Sequence, residues 1–200
     1  RVFVDWMGVR VETPDDLFPE HPRLVCVGIN PAPVSVVAGH CFQGRQGQRF
    51  FSRLAQAGAL HLNGEGFEDD AAVASGIGFT DIVKRPTARA AEVAPGEMRH
   101  GRDLLEQNLA NLGSPVLVFP FKGAAVALVG SFDGNGWLDH RFAGCRLFVM
   151  PGPYEKRATA DATIATFATG LAKRRAADRR AQPNEVGTGG AGGAAHENGG

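Results

Sequence analysis

Residues 24–31 read Leu-Val-Cys-Val-Gly-Ile-Asn-Pro, an apolar run that stops at Asn30 and Pro31. A short continuous apolar run ended by a breaker is a strand buried on both faces, as in the middle of a parallel sheet. Working outward, three more stretches read the same way: residues 76–83 (GIGFTDIV), 115–119 (PVLVF) and 146–150 (RLFVM). Between them the apolar spacing turns helical. Phe50, Leu54 and Ala57 share one helix face, with Gly58 near its end. Pro95 and Glu97 open a second helix that carries Met98, Leu105, Leu109 and Leu112 and closes at Gly113. Residues 122–129 form a short third helix, and Ala160, Ile164, Phe167 and Leu171 mark the buried face of a last one. Residues 31–45, rich in Pro, Gly and Ala, read as a long loop, and 133–136 (DGNG) as a turn. Buried strands alternating with helices predict an α/β, three-layer sandwich around a central, mainly parallel four-stranded sheet. In such sheets ligands bind outside the carboxyl ends of the strands. The loops after Ile29 and Met150 lie there.

The chain has 200 residues, 44% of them hydrophobic, which suits one domain with an ordinary core. We place an N-terminal flank at 1–20, the domain at 21–172, and a tail at 173–200. That tail is basic in KRRAADRR, then Gly- and Ala-rich, and is expected to be disordered. Lys plus Arg and Asp plus Glu both total 21, so any attraction to nucleic acid has to be local. Cys26, Cys41 and Cys145 form no CxxC pair and too few thiolates for a four-cysteine cluster. They fit reduced thiols in a cytosolic protein, with Cys26 and Cys145 in the core. The six histidines, His21, His40, His61, His100, His140 and His196, lack metal-ligand spacing, so neither a metal nor a cofactor is expected. No apolar run approaches the ~20 residues of a transmembrane helix, and the first residues do not read as a signal peptide. A cytoplasmic monomer without membrane contact is the expectation, nucleoid-associated in a bacterium.

Three segments in order carry a resemblance: GINPAPVSVVAGHCFQGRQGQRFF (28–51), GFTDIVKRPT (78–87) and VMPGPYEKR (149–157). Together they resemble the mismatch-specific uracil/thymine-DNA glycosylase family, part of the uracil-DNA glycosylase superfamily. Order and spacing agree from about residue 24 to residue 171. The resemblance implies a uracil-DNA glycosylase-like fold. It also implies a monofunctional, base-flipping DNA glycosylase of base excision repair, acting on double-stranded DNA that contains a damaged or mismatched base. Such chemistry needs a water held at the sugar, donors for a departing base anion, and a pocket for an extruded nucleotide.

On that resemblance Asn30 is the catalytic residue. An amide is no base at neutral pH, so its oxygen accepts from a water and aims it at the anomeric carbon. Phe42 matches the aromatic that stacks on the flipped base, and Gly28 and Ile29 bring backbone to the pocket. Asp81 stands where relatives often carry Asn or Lys at the base edge. A carboxylate there accepts the uracil N3–H but opposes a negative leaving base. Gln48 falls where the family often has Asn before the helix, as a contact to phosphate or ribose. His40 aligns with a loop histidine, more often structural than catalytic.

The third segment departs from the family's Asn-Pro-Ser-Gly-Leu or Ser-rich loop, reading Gly152-Pro153-Tyr154-Glu155-Lys156-Arg157. Gly152 and Pro153 permit close backbone approach to DNA, and one of Tyr154, Lys156 and Arg157 fills the gap left by the base. Arg45, Arg49, Arg53, Lys84, Arg85, Arg89, Lys156 and Arg157 cluster by sequence around the motifs, so a basic rim is expected. Two alternatives stand beside the enzyme: a catalytically weak or inactive module that binds damaged or mismatched DNA, and a flavodoxin-like nucleotide binder. The absence of GxGxxG and of GxxxxGK[ST] argues against the last.

Overall fold

The computed structural model describes residues 1–62, 64, 66–152 and 154–181. The chain opens with an antiparallel hairpin, β1 (Val2–Trp6) and β2 (Val9–Thr13), turned at Met7 and Gly8, both with positive φ. After it, Leu17 exchanges backbone hydrogen bonds with Phe79, at 2.9 and 2.7 Å. The stretch read as a flank therefore covers an otherwise open sheet edge.

The main sheet contains β3 (Leu24–Gly28), β4 (Ile77–Asp81), β5 (Val116–Phe119), β6 (Gly136–Phe142) and β7 (Cys145–Val149). Their order is β4-β3-β5-β7-β6, parallel except for β6. The sheet thus has five strands among the described residues, not four. The missed one, β6, is a half-exposed edge strand that reads GWLDHRF, without a continuous apolar run. It joins β7 through Ala143 and Gly144, both in the left-handed region that hairpin turns favour.

Helices α1 (Pro33–Ala38), α2 (Arg45–Gln56), α3 (Glu68–Ala74), α4 (Pro95–Leu109), α5 (Lys122–Val129) and α6 (Arg157–Ala181) complete the layers. Strand alternation divides the core. Leu24 and Cys26 face Phe50, Phe51 and Leu54 of α2 and Ile164 and Phe167 of α6. Val25 and Val27 face the other way, towards Leu105 and Leu109 of α4, Leu128 of α5 and Trp6 of the hairpin. Burying each large apolar side chain contributes roughly 1.5–3 kcal/mol. All three cysteines are buried.

Two further expectations change. Residues 31–45 are not wholly loop, because Pro33 starts the short α1 and Gly39 ends it at φ +78°. The KRRAADRR stretch is helical, since α6 continues to Ala181, a run of Ala, Lys and Arg that suits a helix. Arg174 pins it by donating to the Ser114 carbonyl at 2.9 Å and facing Asp178 one turn on. The rest of the expected tail, 182–200, lies outside the described residues. No described helix is long and apolar enough to cross a membrane.

Candidate active site

The carboxyl ends of parallel strands share one sheet edge, so the loops after β3, β4, β5 and β7 gather there. The backbone laces the first two together beyond the strands. Ile82 and Val83 donate to Gly28 and Ile29 at 3.0 and 2.8 Å, and Thr87 donates to Pro31 at 3.3 Å. Between these loops and α2 lies a cleft of about 290 Å³ lined by Gly28, Ile29, Asn30, Phe42 and Asp81, with Thr87 beside them. Of the site residues expected from sequence at the base, all reach it, while Gln48, expected at phosphate or ribose, does not line it. Gln48 points outward on α2, because the turn that buries Gly47 and Phe50 leaves position 48 exposed. Gln43 and Gln46 line the cleft in its place.

The Asn30 amide is oriented. Its Nδ2 donates to Thr87 Oγ1 at 2.8 Å, and to the carbonyls of Pro31 and Thr87 at 3.1 and 3.2 Å. With the nitrogen engaged and no described residue donating to Oδ1, that oxygen is the acceptor left for the cleft.

Phe42 has φ +52°, costly for a residue with a Cβ, at roughly 1–3 kcal/mol. Side chains hold it from both sides. The Cys41 N–H donates to Asp69 Oδ2 at 2.7 Å, and the Gln43 N–H donates to the buried Ser35 Oγ at 3.0 Å. Its ring meets Phe50 and Phe79 edge-on, with centroids 5.6 and 5.7 Å apart, so the aromatic plane is fixed. Two glycines make the room. A Cβ on Gly47 would lie 1.3 Å from the Phe42 carbonyl oxygen. One on Gly28 would lie 2.0 Å from Asp81 Oδ1 and 2.8 Å from the Phe42 ring.

Asp81 pairs with Gly28 in the β3–β4 register, so its carboxyl shares the Phe42 side of the sheet. Oδ1 is sealed from solvent without a hydrogen-bond partner, the only buried side-chain polar atom so placed among the described residues. Burial pushes this carboxyl up to about 7. Lys84 opposes that shift and Asp16 adds to it.

His40 is structural: its Nδ1 donates to Asp69 Oδ1 at 2.9 Å, and its ring stacks on Phe67. The fold does bring His40, Asp69 and Asp70 within 4.8 Å of one another, a grouping that sequence spacing hid. Both Asp69 oxygens are already bonded within the protein, so the cluster acts as a clasp on the Phe42 loop.

The described residues of the third loop stand beside the cleft rather than lining it. Arg53 of α2 donates to the carbonyls of Pro151 and Gly152, the latter at 3.1 Å. Glu155 Oε2 accepts from Asn135 Nδ2 at 2.6 Å and from the Gly152 N–H at 3.3 Å. Tyr154 projects, 93% exposed, and Lys156 and Arg157 are also exposed. Pro153 lies outside the described residues.

The expected basic rim is thinner than the residue count implied, because folding engages several of its cations. Lys84 pairs with Asp16 at 2.6 Å, Arg85 with Glu97 at 2.7 Å, Arg89 with Glu92 at 2.9 Å and Arg157 with Asp161 at 3.7 Å. Arg53 is turned onto the loop carbonyls. Arg85 also holds the Glu97 carboxyl well below its usual range, helped by the Ala94 N–H and the Trp6 indole. Thr87, Ser35, Asp69 and Gly47 are the supporting residues that sequence reasoning missed, and Arg53, expected in the basic rim, serves instead to hold the third loop. Thr87, Ser35 and Gly47 lie within the quoted motifs, whereas Asp69 carried no such signal.

Comparison with known proteins gives the family of the chain. Residues 16–166, more than half of the chain, match the Uracil DNA glycosylase superfamily. Over 145 residues the chain is 27% identical to a G/U mismatch-specific uracil DNA glycosylase of Schizosaccharomyces pombe. That alignment covers 67% of this chain and 44% of the relative, so the chain spans less than half of the relative's length.

Proposed function

Since the chain belongs to the uracil-DNA glycosylase superfamily, we propose that it is a monofunctional DNA glycosylase removing uracil, or a related mismatched or damaged pyrimidine, from double-stranded DNA. One observation carries this reading: Asn30 presents an oriented amide oxygen to the same cleft that Phe42 walls with a fixed aromatic ring. The extruded pyrimidine stacks on Phe42. Asn30 Oδ1 accepts a hydrogen bond from a water and aims its oxygen at C1′. The C1′–N1 bond breaks with its electron pair going to the base, which leaves as an anion. The water forms the new C1′–O bond and its proton passes to solvent. Because an amide activates water only weakly, the reaction relies on a good leaving group, which suits uracil.

The third loop, pinned by Arg53 and Glu155, presents Gly152, Tyr154, Lys156 and Arg157 to the duplex beside the cleft. Tyr154, Lys156 and Arg157 are the candidates to fill the vacated stack. Arg45, exposed at the start of α2, adds local positive charge on a neutral chain.

The test is release of base from duplexes carrying uracil–guanine, thymine–guanine or ethenocytosine, read as alkali-labile sites. The wild-type chain should cut at least one. Asn30→Ala should bind the same duplex and lose roughly 100-fold or more of the rate. If no lesion duplex is cut while binding is tight and salt-sensitive, the chain is a damage-binding module instead. Equal affinity for intact and lesion duplexes would remove both readings.

A further inference from the structure

Folding pairs the cations around the cleft but not those at the far end of α6. Lys84, Arg85, Arg89 and Arg157 face carboxylates. Among the described residues no carboxylate pairs with Arg146, Lys173, Arg175, Arg179 or Arg180, and all five are exposed. Asp178, the single acid between Lys173 and Ala181, faces Arg174 at 3.9 Å. These cations gather at the amino edge of the sheet, opposite the cleft. Arg174 reaches Ser114, just ahead of β5, and Arg23, just ahead of β3, is lowered by burial and by the like charge of Arg175. Arg146 lies directly across from Arg141 in the β6–β7 register, and no described carboxylate pairs with either. Like charges so placed destabilise a strand pair, and a bound anion offsets that cost.

Beside these cations an open groove of about 430 Å³ runs between α6 and the β6–β7 edge, lined by Trp137, Arg146, Thr166, Gly170 and Lys173. Trp137 is pressed onto α6. Its Nε1 donates to the Thr166 carbonyl at 3.1 Å, and a Cβ on Gly170 would fall 2.4 Å from its ring. The Arg146 guanidinium covers the indole at 4.2 Å. The apolar surface of the groove is therefore capped by charge, and among the described residues no exposed large apolar side chain lies in it. A protein partner normally needs such an anchor. A phosphate backbone needs what is present: guanidinium forks without carboxylate partners, which match phosphate oxygens in pairs.

We propose that the last turns of α6 and the β6–β7 edge form a second DNA contact, which grips the phosphates of another duplex segment while the cleft faces the first. Helix length separates the two. At about 1.5 Å per residue, Lys173 stands about 24 Å and Arg180 about 35 Å along α6 from Arg157 at the third loop. DNA is stiff over about 150 base pairs, so a duplex lying on the cleft does not curl round to reach them. The contact goes beyond the glycosylase reading, because it requires DNA as a ligand and none of the chemistry of the cleft.

The experiment mixes two short duplexes with the full chain, one carrying a tetrahydrofuran abasic analogue and a donor dye, the other intact with an acceptor dye. Energy transfer should appear with the wild type, with one protein per pair of duplexes in sedimentation. The combined Lys173→Gln, Arg175→Gln, Arg179→Gln and Arg180→Gln variant should lose the transfer. Its salt slope for intact duplex should shrink by about 3 to 4, as expected for four phosphate contacts. Its single-turnover base release at saturating protein should stay within about twofold of wild type, since the cleft is untouched. Arg146→Gln with Lys173→Gln, on the groove itself, should shrink the slope by about 2, and it decides the matter if the fourfold variant fails to fold by circular dichroism. Absence of transfer with the wild type, or salt slopes unchanged in both variants, would overturn the proposal. Poly-glutamate binding this end more tightly than duplex would overturn it too, making an acidic protein the partner. Transfer without base release from any lesion duplex would remove the glycosylase reading and leave the second contact standing.

Discussion

The Thr87 hydroxyl donates to the Arg89 carbonyl at 2.8 Å while accepting from Asn30 Nδ2 at 2.8 Å. Its proton is committed away from Asn30, so a lone pair faces the amide nitrogen and sets which end of the amide turns to the cleft. Thr87 is thus a positioning residue for Asn30. Thr87→Val should lower base release by roughly 10- to 100-fold through misplacement of the amide. The loss should fall on kcat, with KM and duplex affinity nearly unchanged, and Thr87→Ser should restore the rate. Single-turnover kinetics on all three proteins checks this, and a drop confined to KM would refute it.

Gly47 lies inside α2, where alanine normally adds about 1 kcal/mol of stability. Here the added Cβ would sit 1.3 Å from the backbone oxygen of Phe42, so the loop has to move. The packing term wins. Gly47→Ala should destabilise the fold by about 1–3 kcal/mol in urea unfolding, and should also impair base release. A stabilised variant with full activity would show that the Phe42 loop yields freely.

Arg53 spends its guanidinium fork on two loop carbonyls rather than on DNA. Arg53→Met should weaken binding to a lesion duplex by roughly tenfold, about 1.4 kcal/mol, through loss of loop order. Arg53→Lys should rescue poorly, since one ammonium lacks the planar fork. The salt dependence of binding should keep its slope, because no phosphate contact is removed. A slope reduced by about one in Arg53→Met would instead make Arg53 a direct phosphate ligand.

Asp81 also predicts a stability profile. Its carboxyl is raised to about 7 in the folded protein. The folded state therefore holds a proton that the unfolded chain gives up near pH 4. The associated stability is complete in acid and is lost as pH rises through about 7. Asp81→Asn should remove this slope and stabilise the protein at pH 8 by up to about 4 kcal/mol. Urea midpoints of both proteins at pH 4 and pH 8 provide the measurement, and parallel pH dependence would refute the prediction.

By itself the sequence determined the buried strands and the main helices, because each shows in local patterns of apolar runs and breakers, while the motif residues Asn30, Phe42 and Asp81 were legible only through the family resemblance of the segments that hold them. It missed β6, whose exposed edge leaves no apolar run, and α1, whose Pro-, Gly- and Ala-rich surroundings read as loop. Only the tertiary structure decided what holds those motif residues. Asp69 reaches Cys41 across 28 positions, Thr87 reaches Asn30 across 57, and Arg53 reaches Gly152 across 99. Contacts at such separations depend on how the layers pack, and packing also engaged Arg53, Lys84 and Arg85 with partners inside the protein. A charge or hydroxyl carries no local mark of its eventual partner, whereas an apolar run already states that it will be buried.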